Sequence, residues 1–416
     1  MSIDLNAFEA YVKILVIGIG GGGSNAVNEM IDDGMMKNID FWVVNTDAQA
    51  LSTSKSPNRM VLGEEVTKGL GAGGDPSVGE KAAEASKEQL EEIIRNYDMV
   101  FLACGEGGGT GTGAAPVIAK IAKDLDILTI AIITRPFTFE GNLRMKRANE
   151  GIAKLKENVD SLIIVSNDKL MFMNGKRAIK DAFAESDSVL AQSVKTITDL
   201  ILLPGVINLD FADIRNTLKN KGMALIGFGS GEGDNKAKDA ANSAVSCPLL
   251  EASIKGAKTA IVNITCGSNV TLDEAQEAVR YITEIAGGDV NIIFGIQLNS
   301  QIDNTMLVSV IATEFEDESQ LLNPSSIIPS RSLVNKPEIS RISDDTNSSS
   351  GAQNPAQVAD SRPDFSNEDD ILPNFFSTVK KQEETQAEKS EEVEENEHEE
   401  EENNGNGGEE NGYNAY

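Results

Sequence analysis

Met99-Val-Phe-Leu-Ala-Cys104 runs into Gly105-Glu-Gly-Gly-Gly-Thr-Gly-Thr-Gly113 and then into Ala-Ala-Pro116. An apolar strand thus ends in a loop almost free of side chains, and an apolar-periodic helix begins where that loop stops. Glycine admits positive φ and lets backbone N–H groups approach an anion closely. The following helix adds unpaired N–H donors and the positive end of its dipole. Thr110 and Thr112 add hydroxyls without bulk. A flexible glycine linker is the plain alternative, but linkers are not framed by a buried strand and a helix start.

Outward from this stretch the same unit recurs. Val12–Ile17 is an apolar run broken only by Lys13, followed by Gly18-Ile-Gly-Gly-Gly-Gly-Ser-Asn25 and by Ala26, Val27, Met30 and Ile31 at helical spacing. Ile39–Asn45 is another strand, ending in Thr46 and Asp47. A third glycine loop, Gly69-Leu-Gly-Ala-Gly-Gly-Asp-Pro76, precedes a helix from about Ser77 to Asn96, and strands follow at Ile127–Ile133 and Ser161–Val165. Strand and helix alternating over the first ~200 residues predict a parallel sheet covered on both faces, with ligands at the carboxyl ends of its strands. The glycine loops all fall at such ends, so they converge on one crevice.

Ile179–Leu203 reads as one long helix, a connecting spine, ended by Pro204-Gly205. Asn208-Leu-Asp-Phe-Ala-Asp-Ile-Arg215 starts a short helix. A smaller α+β unit follows, with strands at Met223–Phe228, Ala260–Thr265, Asn291–Leu298 and Met306–Ala312 and one helix from Thr271 to Ala286. From about Glu316 the aliphatics thin out, which predicts disorder, apart from an island at Asp369–Lys381 with the form of a docking segment.

Composition sets bounds. The 416 residues suffice for about two to three domains. The net charge of −30 argues against nucleic-acid binding and anionic membranes, although fourteen Glu against one Lys sit in residues 383–416 alone. Three scattered cysteines and a single histidine, His398, leave no inventory for a structural zinc site or a His-dependent triad, and fit a reducing cytosol. No run approaches the ~20 apolar residues of a membrane span, and the start Met-Ser-Ile-Asp-Leu-Asn lacks a leader pattern.

Gly18-x-Gly20-x-x-Gly23 with Asp47 after the next strand fits the dinucleotide fingerprint, so an NAD(P)-dependent Rossmann oxidoreductase is one reading. A pyrophosphate needs one such loop and this chain has three, which favours a nucleoside triphosphate. No Gly-x-x-x-x-Gly-Lys-Ser/Thr occurs, so a conventional P-loop is excluded.

Gly107-Gly-Gly-Thr-Gly-Thr-Gly113 is similar to the tubulin signature. With Gly20–Asn25, Asn45-Thr-Asp47, Thr134-Arg-Pro-Phe-Thr-Phe-Glu-Gly141 and Asn208-Leu-Asp-Phe-Ala-Asp213, in that order from Val12 to Phe315, the chain resembles the tubulin/FtsZ family of bacterial cell-division GTPases. The resemblance implies an N-terminal extension (1–11), a parallel-sheet GTP-binding domain (12–178) and a long central helix with a catalytic loop (179–221). A smaller α+β domain (222–315), a disordered linker (316–368), a docking peptide (369–381) and an acidic tail (382–416) complete it. It also implies head-to-tail protofilaments in a cytoplasmic ring at midcell, self-association, and membrane-tethering or regulatory division proteins bound at 369–381.

By the same resemblance, Gly21, Gly22, Gly23, Ser24 and Asn25, with Gly107, Gly108, Gly109, Thr110 and Gly111, hold the phosphates of GTP, and Mg²⁺ rides on the nucleotide. Asn45 and Asp47 join the GTP-binding set, and Ala72 and Gly73 lie by the γ-phosphate. Glu140 and Arg144 lie near sugar and phosphates, and Asn167, Phe183 and Asp187 form the base site. Phe183 can stack on a purine, and the Asp187 carboxylate can accept guanine N1–H and its amine, which adenine cannot offer. Asp210 and Asp213 would reach the next subunit's pocket and position the attacking water. Asp-x-x-Asp at a helix start is equally a capping pattern, and the two roles are compatible. A GTP-binding polymer that does not hydrolyse remains a further reading. Two departures stand out: Asp75 brings charge to the third loop, and Asp370-Ile-Leu-Pro-Asn-Phe-Phe lacks the family peptide's arginine.

Overall fold

The computed structural model describes residues 12–34, 39–173, 179–250, 253–300, 302 and 304–315. The sequence readings at 1–11, 316–368, 369–381 and 382–416 lie outside these residues. In chain order the first unit is β1 (Ile14–Ile19), α1 (Gly20–Asp32), β2 (Ile39–Asn45), α2 (Ala48–Ser52), β3 (Asn58–Val61) and α3 (Glu64–Thr67). It continues with α4 (Pro76–Ala85), α5 (Lys87–Ile94), β4 (Met99–Gly105), α6 (Thr110–Asp124), β5 (Leu128–Arg135), α7 (Asn142–Lys156), β6 (Ser161–Ser166) and α8 (Asn167–Met173). Then come α9 (Ile179–Leu202), α10 (Phe211–Leu218), β7 (Gly222–Glu232), α11 (Lys236–Val245), β8 (Ala257–Cys266), α12 (Leu272–Ala286), β9 (Asn291–Leu298) and β10 (Thr305–Phe315).

Among the described residues, the ten strands form one sheet in the order β3-β2-β1-β4-β5-β6-β7-β10-β8-β9. The first six are parallel, as their near-continuous apolar runs require: β1 and β5 are buried along their whole length because helices cover both faces. Order reverses on either side of β1, which places a topological switch point at the carboxyl ends of β1 and β4. The second unit extends the same sheet through β6 and β7, paired from Ser161↔Gly222 to Ile163↔Ala224. Beyond that, β10 runs antiparallel to β7 and β8, and β9 is parallel to β8.

The glycine stretches are shorter as loops than the sequence suggests, because both helices start inside them. α1 begins at Gly20 and α6 at Thr110. The buried glycines within them are packing positions: a Cβ on Gly23 would stand 2.2 Å from the Ala103 carbonyl oxygen, and one on Gly113 2.0 Å from that of Pro76. The helix expected from Ser77 to Asn96 is two, broken at Ser86, which ends α4 and precedes α5. The Ser86 hydroxyl accepts the Gly63 N–H at 2.9 Å, so the break anchors the neighbouring turn. The sequence pattern does not announce β3 or α11.

α9 is the expected spine. Its first turns carry Phe183 and Asp187, and its last turn meets β9, where Gln297 Nε2 donates to the Asp199 carbonyl at 3.0 Å.

Candidate functional site

At the switch point lies a cavity of about 310 Å³ whose wall comes from five segments. The β1–α1 turn gives Ile19, Gly21, Gly22 and Asn25, and the β4–α6 turn gives Gly105, Glu106, Gly108, Gly109, Thr110 and Gly111. The end of β5 and the segment leading into α7 give Thr134, Pro136, Glu140 and Arg144, the start of α8 gives Asn167, and α9 gives Phe183, Ser186 and Asp187. Two helices, α1 and α6, point their N-terminal turns at this space, so their free N–H groups and dipoles favour an anion there.

Ten of the predicted residues line the cavity in the phosphate and base groups together with Glu140 and Arg144: Gly21, Gly22, Asn25, Gly108, Gly109, Thr110, Gly111, Asn167, Phe183 and Asp187. The rest sit behind it. Gly23 packs on Ala103, and the Ser24 hydroxyl donates to the Gly20 carbonyl at 2.6 Å. Gly107, at φ 90°, abuts Arg144, whose Cγ would lie 2.7 Å from a Cβ there. Asn45 and Asp47 stand one tier back: Asp47 Oδ1 accepts from Gln49 N at 2.9 Å and from Ala50 N, capping α2. Their contact with the site runs through Thr46, whose hydroxyl meets that of Thr110 at 2.7 Å.

The glycine loop at 69–76 flanks the one at 105–113. Ala72 stands where a Cβ on Gly109 would approach it to 2.8 Å, whereas Gly73 is exposed at φ 60°. Asp75 turns away to cap α4, accepting from Ser77 N at 2.9 Å, and that bond holds its carboxyl below the usual range.

At the other end of the cavity the side chains are fixed by one another. Arg144 Nε and Glu140 Oε2 pair at 3.0 Å, and Glu140 Oε1 accepts from Phe137 N at 3.0 Å. Phe137 stacks on Phe139 at 5.0 Å and meets Phe183 edge-on at 5.1 Å, which leaves Phe183 40 % exposed with a face available. Ser186 Oγ donates to Asn167 Oδ1 at 2.8 Å. Asp187 is raised to about 7, first by burial and then by the charge of Glu29. Hydrogen-bond donors facing it would favour its ionised form.

Lining residues given no role of their own from sequence are Ile19, Gly105, Glu106, Thr134, Pro136 and Ser186, although Gly105 and Glu106 lie in the opening glycine stretch and Thr134 and Pro136 in the 134–141 motif. Most stand at carboxyl ends of parallel strands, so the topology rule alone points to them. Ser186 lies one turn from Phe183 on α9.

Asp210 and Asp213 are elsewhere. Asp210 caps α10, its Oδ1 accepting from Asp213 N at 2.8 Å, so the capping role is present. The far end of α10 packs at the amino ends of β5 and β6: Ser161 Oγ donates to the Leu218 carbonyl at 2.7 Å, and Arg215 and Lys219 both reach Asp126. The cavity is at the carboxyl ends of those strands, roughly 25 Å away for an eight-residue strand at ~3.3 Å per residue.

Residues 13–175 match the Tubulin/FtsZ family GTPase domain, and residues 222–316 the FtsZ family C-terminal domain. The chain is similar to the solved empty FtsZ dimer of M. jannaschii, with 39 % identity, a TM-score of 0.70, and 74 % of this chain and 90 % of that one covered. This chain belongs to the tubulin/FtsZ family. The GDP-bound CetZ1 monomer of Haloferax volcanii shares the fold at 20 % identity, with a TM-score of 0.66 over 76 % of this chain and 98 % of that one. As a tubulin/FtsZ protein it is a cytoskeletal GTPase, and GTP is its nucleotide. The dinucleotide reading lapses with this. It needed the Asp47 carboxylate on a ribose, and that carboxylate caps α2. Among the described residues no helix is long and apolar enough to cross a membrane.

Proposed function

We propose that this chain is the polymer-forming GTPase of a bacterial division ring, and that hydrolysis is completed between subunits. GTP lies in the cavity with its phosphates on the N-terminal turns of α1 and α6, its base between Phe183 and Asp187, and its sugar by Glu140 and Arg144. Asp210 and Asp213 of the next subunit orient water in line with the γ-phosphate, for which phosphoryl transfer asks mainly placement and charge stabilisation. Among the described residues no group of three acidic, thiol or imidazole side chains is gathered for a metal. Mg²⁺ is therefore taken as part of the substrate, MgGTP, and no step is routed through it.

The observation that carries this reading is the separation of the two groups: acids at the amino end of the sheet, phosphate cradle at the carboxyl end. Stacking subunits head to tail joins them, and a carboxylate that would repel triphosphate in a lone chain arrives only on assembly. The M. jannaschii relative, solved as a dimer, supports self-association. Membrane-tethering and regulatory division proteins would dock at 369–381.

The test is phosphate release against protein concentration. Turnover per subunit rises steeply above a critical concentration, and Asp213→Ala nearly abolishes it while GTP binding persists. Equal turnover per molecule in dilute monomer would overturn the reading, and joint loss of binding and turnover would indicate misfolding of α10.

A further inference from the structure

Glu106 is an acid in an unusual place. It follows β4 directly and is 2 % exposed, with its backbone N–H donating to the Thr134 carbonyl at 2.9 Å. Its side chain is sealed between the first turn of α6 and α7. Thr112, on that first turn, stands beside it: a Cβ on Gly151 of α7 would come within 2.4 Å of Thr112 Cγ2 and 2.6 Å of Glu106 Oε2. Cys104 Sγ donates weakly to Oε1 at 3.7 Å, and among the described residues Oε2 has no hydrogen-bond partner. Thr112 Oγ1 accepts the Gly107 N–H at 2.8 Å, so the residue beside the acid is tied directly to the phosphate turn.

The neighbours do not neutralise it. β4 contributes Cys104, whose thiol is pushed up by burial and by Glu106 itself. α6 carries Lys120 and Lys123 farther along, and both are exposed. α7 carries Arg144, paired with Glu140, then Lys146, Arg147 and Glu150, and β5 ends in buried Arg135. The carboxyl is raised to about 7, with burial the largest cause and the polar groups of Thr112 and Cys104 acting against it.

A buried carboxylate behind a helix N-terminus draws on the same positive field that the phosphates in front of it need. We propose that Glu106 is a proton-exchanging positioning residue of the phosphate turn: it takes up a proton as the nucleotide's phosphates enter. The α6 amides then meet the phosphates with no second anion behind them. This rests on the cavity being the nucleotide site. The bound form holds the proton more tightly than the free form, so affinity is full below the free value near 7 and falls as pH rises through it.

The experiment is calorimetric titration of the full chain with GDP at pH 8, in buffers of different ionisation heat, for wild type and Glu106→Gln. GDP avoids heat from turnover, and protons exchanged at Asp187 or on the nucleotide are common to both proteins. Wild type takes up more protons than Glu106→Gln, the difference being on the order of half a proton or greater. Between pH 7 and 8.5 its affinity drops about tenfold relative to that of Glu106→Gln. Equal uptake, or parallel pH profiles, overturns the proposal while leaving the site intact. Failure of wild type to bind GDP overturns the site itself. Should Glu106→Gln not fold, carbon NMR of labelled wild-type glutamate decides. The Glu106 carboxyl signal moves to its protonated position on adding GDP at pH 8, and a signal that stays ionised refutes the uptake.

Discussion

Gly21 and Gly23 are two residues apart in one glycine run, yet their surroundings differ completely. A Cβ on Gly21 meets nothing within 4 Å, since that position opens on the cavity, whereas one on Gly23 would stand 2.2 Å from Ala103 O and 2.9 Å from Gly18 C. Gly21→Ala should therefore keep or slightly raise stability, by about 0.5–1 kcal/mol of helix propensity, while its methyl occupies phosphate space. Gly23→Ala must lift α1 off β1 and β4, an overpacking cost of about 1–3 kcal/mol. At ~2–4 °C per kcal/mol this lowers Tm by roughly 2–12 °C. Nucleotide at a hundred times its Kd adds about 2.7 kcal/mol to any chain that binds it. Thermal unfolding with and without GDP separates the two. Wild type and Gly23→Ala shift upward with GDP, from different starting points, and Gly21→Ala starts high and does not move. A Gly21→Ala protein that unfolds early, or that shifts with GDP as wild type does, refutes this assignment of the two glycines.

Asp187, at about 7 in the free chain, is favoured in its ionised form by guanine donors, so guanine affinity falls as pH drops below 7. Asp187→Asn flattens this limb in GDP titrations, erases the preference for GDP over ADP and raises the Tm of the free chain by removing a buried charge. Lys236 is buried beneath α12, with Nζ on Glu274 Oε1 and 3.4 Å from Asn304 Oδ1. Lys236→Ala should cost about 1–3 kcal/mol, partly offset because Glu274 keeps some solvent contact. The Lys236 bond holds Glu274 below its ordinary 4.5, so the loss is full above that value and shrinks as pH falls through the lowered one. Thermal melts across pH 3 to 7 show whether the difference closes.

The parallel half of the sheet was legible because its strands are apolar on both faces and its turns are glycine-rich. What escaped has physical causes. β7 reads as ending at Phe228 because Gly-Ser-Gly looks like a turn, yet it continues to Glu232. Gly227, Gly229 and Gly231 share one face, and α11 lies directly on it: a Cβ at any of them would stand within 2.2 Å of a carbonyl oxygen of Ala244, Ala240 or Lys236. A strand of alternating glycines and a helix of alanines have little hydrophobic signal apart, and become an interface only together. β3, four residues with one aliphatic pair, is too short to show a period. In the site, glycine counting overstated contact, since Gly23 and Gly107 serve packing, and it passed over Glu106, a charged letter in a glycine string whose burial depends on Gly151 forty-five positions later.

The position of α10 also bears on whether one chain could act alone. For Asp210 and Asp213 to reach their own cavity, α10 would have to leave the amino ends of β5 and β6. Asp160 holds it there from below: buried, it accepts from Thr129 N at 2.9 Å and Asn220 N at 3.1 Å through its carboxylate, and from Lys221 N at 2.8 Å through its carbonyl. Asp126 adds the exposed pairs to Arg215 and Lys219. Releasing the buried bonds would strand charged and polar groups at about 1–3 kcal/mol each, before any of the ~25 Å is crossed. A neighbour's α10 needs none of this. The route through a second subunit is therefore the low-barrier one, and turnover at concentrations well below assembly should scale with the square of protein concentration rather than with its first power.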